Sequence, residues 1–123
     1  MRALEIRWMT PAPFMAALVA GGLVTQAYLA GLGVFGPDGW ALHSVFGSVL
    51  ALPIIGLALH GWFSSSGRPY RLPASLLLVL YLLQVVLVVV GMGTGLAWLA
   101  ALHPANALLM LVATLEVLRR ASA

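Results

Sequence analysis

Four apolar stretches, each long enough to cross a lipid bilayer, constrain this chain more than any other feature of its sequence. They cover residues 14–35, 41–63, 72–92 and 96–118, and a transmembrane helix needs about 20 apolar residues. A chain that is 63% hydrophobic and 7% charged also lacks the polar surface that a water-soluble core requires. Because backbone groups in lipid must satisfy their own hydrogen bonds, the four stretches are predicted to be helices.

The segments between the stretches are short and consist of turn residues. They cover Gly36–Gly39, Ser64–Pro69 and Gly91–Gly95, and each suits a tight turn. The first stretch is retained as a span, because its apolar core is longer than the roughly 7 to 15 residues of a signal peptide. The predicted fold is therefore all-α, an integral membrane four-helix up-and-down bundle with one transmembrane domain over residues 1–123.

The charged residues predict the orientation of this bundle. Its six positive charges are all arginines, and all fall on one side of the predicted membrane, at Arg2, Arg7, Arg68, Arg71, Arg119 and Arg120. The opposite turns carry only Asp38, so the positive-inside rule predicts a bacterial inner membrane protein with both termini in the cytoplasm. Trp8 and Trp62 would lie at the inner interface and Trp40 and Trp98 at the outer one.

Composition also excludes several kinds of function. The formal charge of +3 comes from these flanking arginines and does not indicate nucleic-acid binding. The chain contains no cysteine, which excludes disulfides, thiolate metal sites, iron–sulfur clusters and covalent haem attachment. Any cofactor must therefore use other ligands.

The two halves of the sequence resemble each other. In each half a glutamine late in the outgoing helix precedes a glycine-rich turn, a tryptophan, a Leu-His pair and a small residue four positions later. The corresponding residues are Gln26, Trp40, His43 and Gly47 in the first half and Gln84, Trp98, His103 and Ala107 in the second. This order predicts two pseudo-repeated helical hairpins related by an axis along the membrane normal.

His43 and His103 are the candidate metal ligands. Both lie on helices that run in the same direction, within about one turn of the same depth, and these helices occupy diagonal corners of an up-and-down bundle. Two neutral imidazoles can ligate iron without placing net charge in the membrane. The pair therefore predicts a bis-histidine haem b (iron protoporphyrin IX), although a single histidine in a span can also have a purely structural role.

The residues around the pair have more than one interpretation. Gly47 and Ala107 lie one turn beyond the histidines and would let a flat macrocycle approach the helices. Gln26, Gln84 and Asn106 either join helices by hydrogen bonds or support the haem by contacting an imidazole or a propionate. His60 lies about 25 Å from His43 along its helix and cannot bind the same iron.

Two short motifs carry a resemblance to known families. The segments Leu42–Gly47 (LHSVFG) and Leu102–Ala107 (LHPANA), with Ala30 and Gly31 before the first turn, resemble a family of small, uncharacterised four-span bacterial proteins. The layout is also similar to one half of haem A synthase, whose four-helix halves each carry a histidine pair. That resemblance implies His43 and His103 as axial ligands of a b-type haem near the outer face. It does not imply catalysis, because the family's glutamate is missing from Gly39–Leu42.

These observations favour an electron-transfer or haem-handling protein over an enzyme, with haem and the lipid bilayer as partners. The candidate electron partner is a quinone or a membrane redox protein. Two alternatives remain: an accessory subunit of a larger complex with structural histidines, and a small transporter. Four-span exporters depend on a carboxylate in the first span, which this chain lacks there.

Overall fold

The computed structural model describes residues 10–123 as an all-helical bundle. Helix α1 covers Pro11–Phe35, α2 covers Gly39–Val49, α3 covers Ala51–Phe63, α4 covers Arg71–Thr94 and α5 covers Ala97–Ser122. A short 3-10 turn over Arg68–Tyr70 leads into α4. Helices α2 and α3 form one span, so the described chain contains four helical spans, each long and apolar enough to cross a membrane. The predicted fold class is confirmed.

The four spans follow one another around the bundle. Each packs against the next, and α1 also packs against α5, which closes the ring. The span of α2 and α3 and the span of α5 therefore occupy diagonal corners. We call the end with Arg68, Arg71, Arg119 and Arg120 the arginine end, and the opposite end, with the turns at 36–38 and 95–96, the histidine end.

The hydrophobic core extends from the middle of the bundle to the arginine end. It is built from side chains of all four spans, among them Val19, Ile54, Leu77 and Val117, each fully buried. At the histidine end, two glycines make close contacts within their own hairpins. Gly33 packs against Trp40 in the first hairpin, and Gly91 packs against the backbone of Ala100 in the second.

The internal repeat is confirmed by the pattern of burial. In the outgoing helices, four buried positions recur at one constant sequence offset, pairing Ala12 with Tyr70, Ala16 with Ala74, Val19 with Leu77 and Gly22 with Leu80. In the returning helices four more recur, pairing Leu50 with Met110, Ile54 with Thr114, Leu57 with Val117 and Gly61 with Ala121. The second offset is longer by two residues, and the additional residues fall between Trp98 and His103, at the start of α5.

The structure differs from the predicted spans mainly at their ends. Helix α4 begins at Arg71 and α5 continues to Ser122, because helices in lipid extend into the polar interface beyond their apolar residues. Gly95 ends α4 in the left-handed region, with φ of 71°, a conformation that favours glycine. Arg2, Arg7 and Trp8, which contribute to the predicted orientation, lie outside the described residues.

Proline has different effects in the two returning spans. The second span is interrupted at Leu50, since Pro53 has no N–H to donate to the carbonyl of Val49. Pro104 similarly lacks a donor for the carbonyl of Ala100, yet α5 continues through it without interruption. The two prolines therefore distinguish otherwise equivalent helices.

Candidate functional site

His43 and His103 come together between the two hairpins. Their ring centroids are 6.0 Å apart and the ring planes are inclined by 61°, so the rings do not stack face to face. Both side chains are half-buried. The two histidines lie on α2 and α5, in diagonal spans, and the structure brings them to one level as the repeat predicts.

Each imidazole forms the same hydrogen bond within its own hairpin. His43 Nδ1 lies 3.1 Å from the carbonyl oxygen of Gln26, and His103 Nδ1 lies 3.0 Å from the carbonyl oxygen of Gln84. A carbonyl oxygen can only accept, so Nδ1 is the protonated nitrogen of each ring. In the neutral imidazole, Nε2 then carries the lone pair that can bind a metal.

Gln26 and Gln84 therefore contact the histidines through their main chains. A helical carbonyl oxygen has a second lone pair that remains available for this bond. The side chain of Gln26 points instead toward Gly47, where an added Cβ would collide with its amide nitrogen. Gly47 thus makes room for the Gln26 amide.

Asn106 joins α5 to α4 one turn beyond His103. Its amide nitrogen donates to the carbonyl oxygen of Leu80 at 2.8 Å and to Oε1 of Gln84 at 2.6 Å. The side chain is buried, and its Oδ1 has no hydrogen-bond partner among residues 10–123. Gln26 Oε1 is also buried and unpartnered within the same part of the chain. Ala107 is half-buried on α5.

Tyr81 belongs to the same polar layer and is not among the residues predicted from the sequence. Its hydroxyl donates to the carbonyl oxygen of Gly47 at 3.0 Å, linking α4 to α2. A phenol hydroxyl within an apolar span, three residues before Gln84, is the signal that points to this role.

The surroundings of the two histidines differ in one respect. Trp40 packs edge-on against His43, with ring centroids 5.9 Å apart and an interplanar angle of 83°. Trp98 makes no ring contact with His103 in the described structure. His43 follows Trp40 by three residues, whereas His103 follows Trp98 by five. Residues three apart in a helix lie close to the same face and residues five apart do not, so the longer spacing in the second hairpin accounts for the difference.

His60 is separate from this site. It lies near the arginine end of α3, in the turn before Trp62, and its Nε2 is buried without a hydrogen-bond partner among the described residues. Trp62 donates to Ser75 at 2.8 Å, and the Arg71 guanidinium lies 4.5 Å from the Trp62 ring centroid. No group of three or more His, Cys, Asp or Glu side chains suited to a metal ion occurs in residues 10–123.

Together the fold and this arrangement define an all-helical, multi-pass membrane protein with two histidines paired between its hairpins. A family model described as a family of unknown function (DUF6220) matches residues 26–91. The match covers more than half of the chain, which therefore belongs to this family. It begins at Gln26 and includes His43 and Gln84, whereas His103 and Asn106 lie beyond it.

No curated protein and no solved structure matches the chain. The comparisons thus provide no link to haem A synthase, and that resemblance remains an expectation from the sequence.

Proposed function

We propose that this protein binds one haem b between its two hairpins, with His43 and His103 as the axial ligands, and acts in electron transfer or haem handling. The observation that carries the proposal is the distance of 6.0 Å between the two ring centroids. Two imidazoles that bind one metal from opposite sides, through bonds of about 2 Å, would hold their centroids about 6 Å apart.

The donor set favours haem over a metal ion bound by side chains alone. A structural zinc site needs about four protein ligands, and only two histidines meet here. A porphyrin supplies the other four nitrogen ligands itself, so two axial imidazoles complete its coordination. Its apolar surface also suits a site inside a membrane bundle.

The hydrogen bonds at Nδ1 support the same role. A ligating histidine usually donates its other ring N–H to a carbonyl or carboxylate, which fixes the tautomer and makes the ligand nitrogen more basic. The carbonyls of Gln26 and Gln84 provide this partner at 3.1 and 3.0 Å. Both rings are therefore held in the form that a metal requires.

The fully buried core does not extend to the level of the two histidines. The shared hydrophobic core ends near the middle of the bundle, and both histidines are only half-buried. The core at the arginine end can therefore hold the four spans together whether or not a ligand lies between the histidines.

Because His43 and His103 would both hold the iron, the haem would supply one-electron transfer rather than oxygen or substrate activation. We assign both termini to the cytoplasm of a bacterial inner membrane on the strength of the arginine distribution. The site then lies toward the outer face. A quinone or a membrane redox protein is the proposed electron partner.

Absorption spectroscopy tests the proposal directly. The chain purified from haem-replete cells should show a low-spin Soret band and a sharp alpha band on reduction. His43→Ala and His103→Ala should each abolish the low-spin spectrum, and the double variant should lose the haem.

His60→Ala is the matched control, because it removes the third described histidine but leaves the pair intact. Its spectrum should equal that of the parent chain. A colourless preparation, or equal spectra in all three single variants, would refute the assignment. Far-UV circular dichroism of each variant checks that the bundle still folds.

A further inference from the structure

A second feature of the bundle lies between the arginine end and the middle of the spans, away from the histidine end. A groove of about 530 Å³ runs between α4 and α5, within the range of about 300 to 1,000 Å³ that is usual for small-molecule sites. Its walls are apolar and include Leu76, Leu80, Leu109 and Val112, with Ala113 between them. Leu72 and Leu80, at its two ends on α4, are about 12 Å apart along the helix, so the groove is elongated and parallel to the spans.

Charged side chains close the groove at the arginine end. Glu116 and Arg120 both line it, and Arg120 Nη1 also donates to the carbonyl of Pro69 at 2.8 Å. The Glu116 carboxylate accepts hydrogen bonds from Arg119 at 2.7 and 2.8 Å and from Arg120 at 2.7 Å. Its negative charge is therefore already matched by two guanidinium groups.

The arginine end as a whole has an excess of positive charge. Arg68, Arg71, Arg119 and Arg120 lie there, and among residues 10–123 Glu116 is the acidic side chain at this end. An occupant of the groove must therefore be long and apolar along the helices and negatively charged where it reaches Arg120. An anionic phospholipid has this combination, whereas a quinone and a zwitterionic phospholipid lack the net charge.

We propose that this groove binds one anionic phospholipid, with an acyl chain along Leu76, Leu80, Leu109 and Val112 and the headgroup phosphate beside Arg120. The lipid would hold α4 and α5 together where Glu116 and Arg120 meet the interface. This site is independent of the histidine pair, so it stands whether or not the chain binds haem.

Native mass spectrometry of the full chain, supplied with equal amounts of phosphatidylglycerol and phosphatidylcholine of identical acyl chains, tests the proposal. One phosphatidylglycerol should be retained in preference. Arg120→Gln should reduce its occupancy about fivefold, the ratio that corresponds to about 1 kcal/mol for one arginine at an anionic surface. Arg68→Gln, at the same end but outside the groove, is the matched control and should retain the lipid.

A second pair of variants tests the apolar part of the groove. Val112→Trp should fill it and displace the lipid, whereas Val79→Trp, on an exposed face of α4 outside the groove, should not. Three results would each overturn the proposal. They are equal retention of both phospholipids, an equal loss of phosphatidylglycerol in Arg120→Gln and Arg68→Gln, and unchanged lipid binding in Val112→Trp. Helical circular dichroism confirms that each variant remains folded.

Discussion

The hydroxyl of Tyr81 donates a hydrogen bond of 3.0 Å to the carbonyl oxygen of Gly47. This bond connects the two hairpins one turn from His43, at the level where the shared core ends. Interhelical hydrogen bonds of this kind contribute about 0.6 kcal/mol on average in membrane proteins. Tyr81 thus helps to fix the spacing between the hairpins at the histidine site.

Replacing this tyrosine should weaken the bundle slightly. Tyr81→Phe removes only the hydroxyl, so we expect a loss of about 0.5 to 1 kcal/mol in the free energy of unfolding, measured by denaturant titration in micelles. Tyr28→Phe is the control, since Tyr28 is 65% exposed and faces away from the bundle interior. Equal effects of the two substitutions would contradict the structural role of Tyr81.

Asn106 should contribute more than Tyr81 to the free energy of unfolding. Asn106→Leu keeps the number and branching of the side-chain heavy atoms but removes both bonds to α4 and leaves Gln84 Oε1 without its donor. We therefore expect a loss of about 1 to 2 kcal/mol in the free energy of unfolding. Thr114→Val is the comparison, because the buried Thr114 hydroxyl bonds only within α5, to Met110 at 2.8 Å. If Thr114→Val lowers the free energy of unfolding more than Asn106→Leu does, the bonds between α4 and α5 contribute less to stability than we expect.

Two glycines near the end of α4 offer a matched pair. An added Cβ at Gly91 would collide with the backbone of Ala100, whereas one at Gly93 meets no atom. Because helix backbone cannot easily move, Gly91→Ala should destabilise the second hairpin by about 1 to 3 kcal/mol. Gly93→Ala should be neutral or stabilising by up to about 1 kcal/mol. Thermal unfolding of the two variants in the same detergent makes the comparison, and similar midpoints would argue against close packing here.

The proposed orientation can be tested with single thiols, because the chain has no cysteine of its own. Asp38→Cys lies in the exposed turn at the histidine end and Ser65→Cys in the exposed turn at the arginine end. A membrane-impermeant maleimide should label Asp38→Cys in intact cells and Ser65→Cys only after permeabilisation. The reverse pattern would contradict cytoplasmic termini and leave the bundle itself unaffected.

Much of the fold follows from the sequence alone. Helix number and approximate position depend on apolar length, and the repeat depends on recurring residue types, so both are visible without coordinates. The meeting of His43 and His103 follows from the topology, because diagonal spans running in one direction bring equivalent residues to one level. The haem, by contrast, remains a proposal.

The finer features of the site depend on side-chain directions that a sequence does not specify. Nothing in the sequence distinguishes the carbonyl of Gln84 from its amide as the partner of His103. The contact of Gln26 with Gly47 likewise depends on how closely α1 and α2 approach. The groove beside Leu76 and Val112 depends on the local separation of two helices that otherwise pack along their whole length.

The two additional residues in the second hairpin have a consequence for any flat guest held between the histidines. A strictly duplicated pair of hairpins would present identical walls, and a porphyrin could enter with either face forward at equal energy. Here the indole of Trp40 lines only the wall that carries His43. The two walls are therefore no longer related by two-fold symmetry, and the two insertion isomers of an asymmetrically substituted macrocycle should be populated unequally.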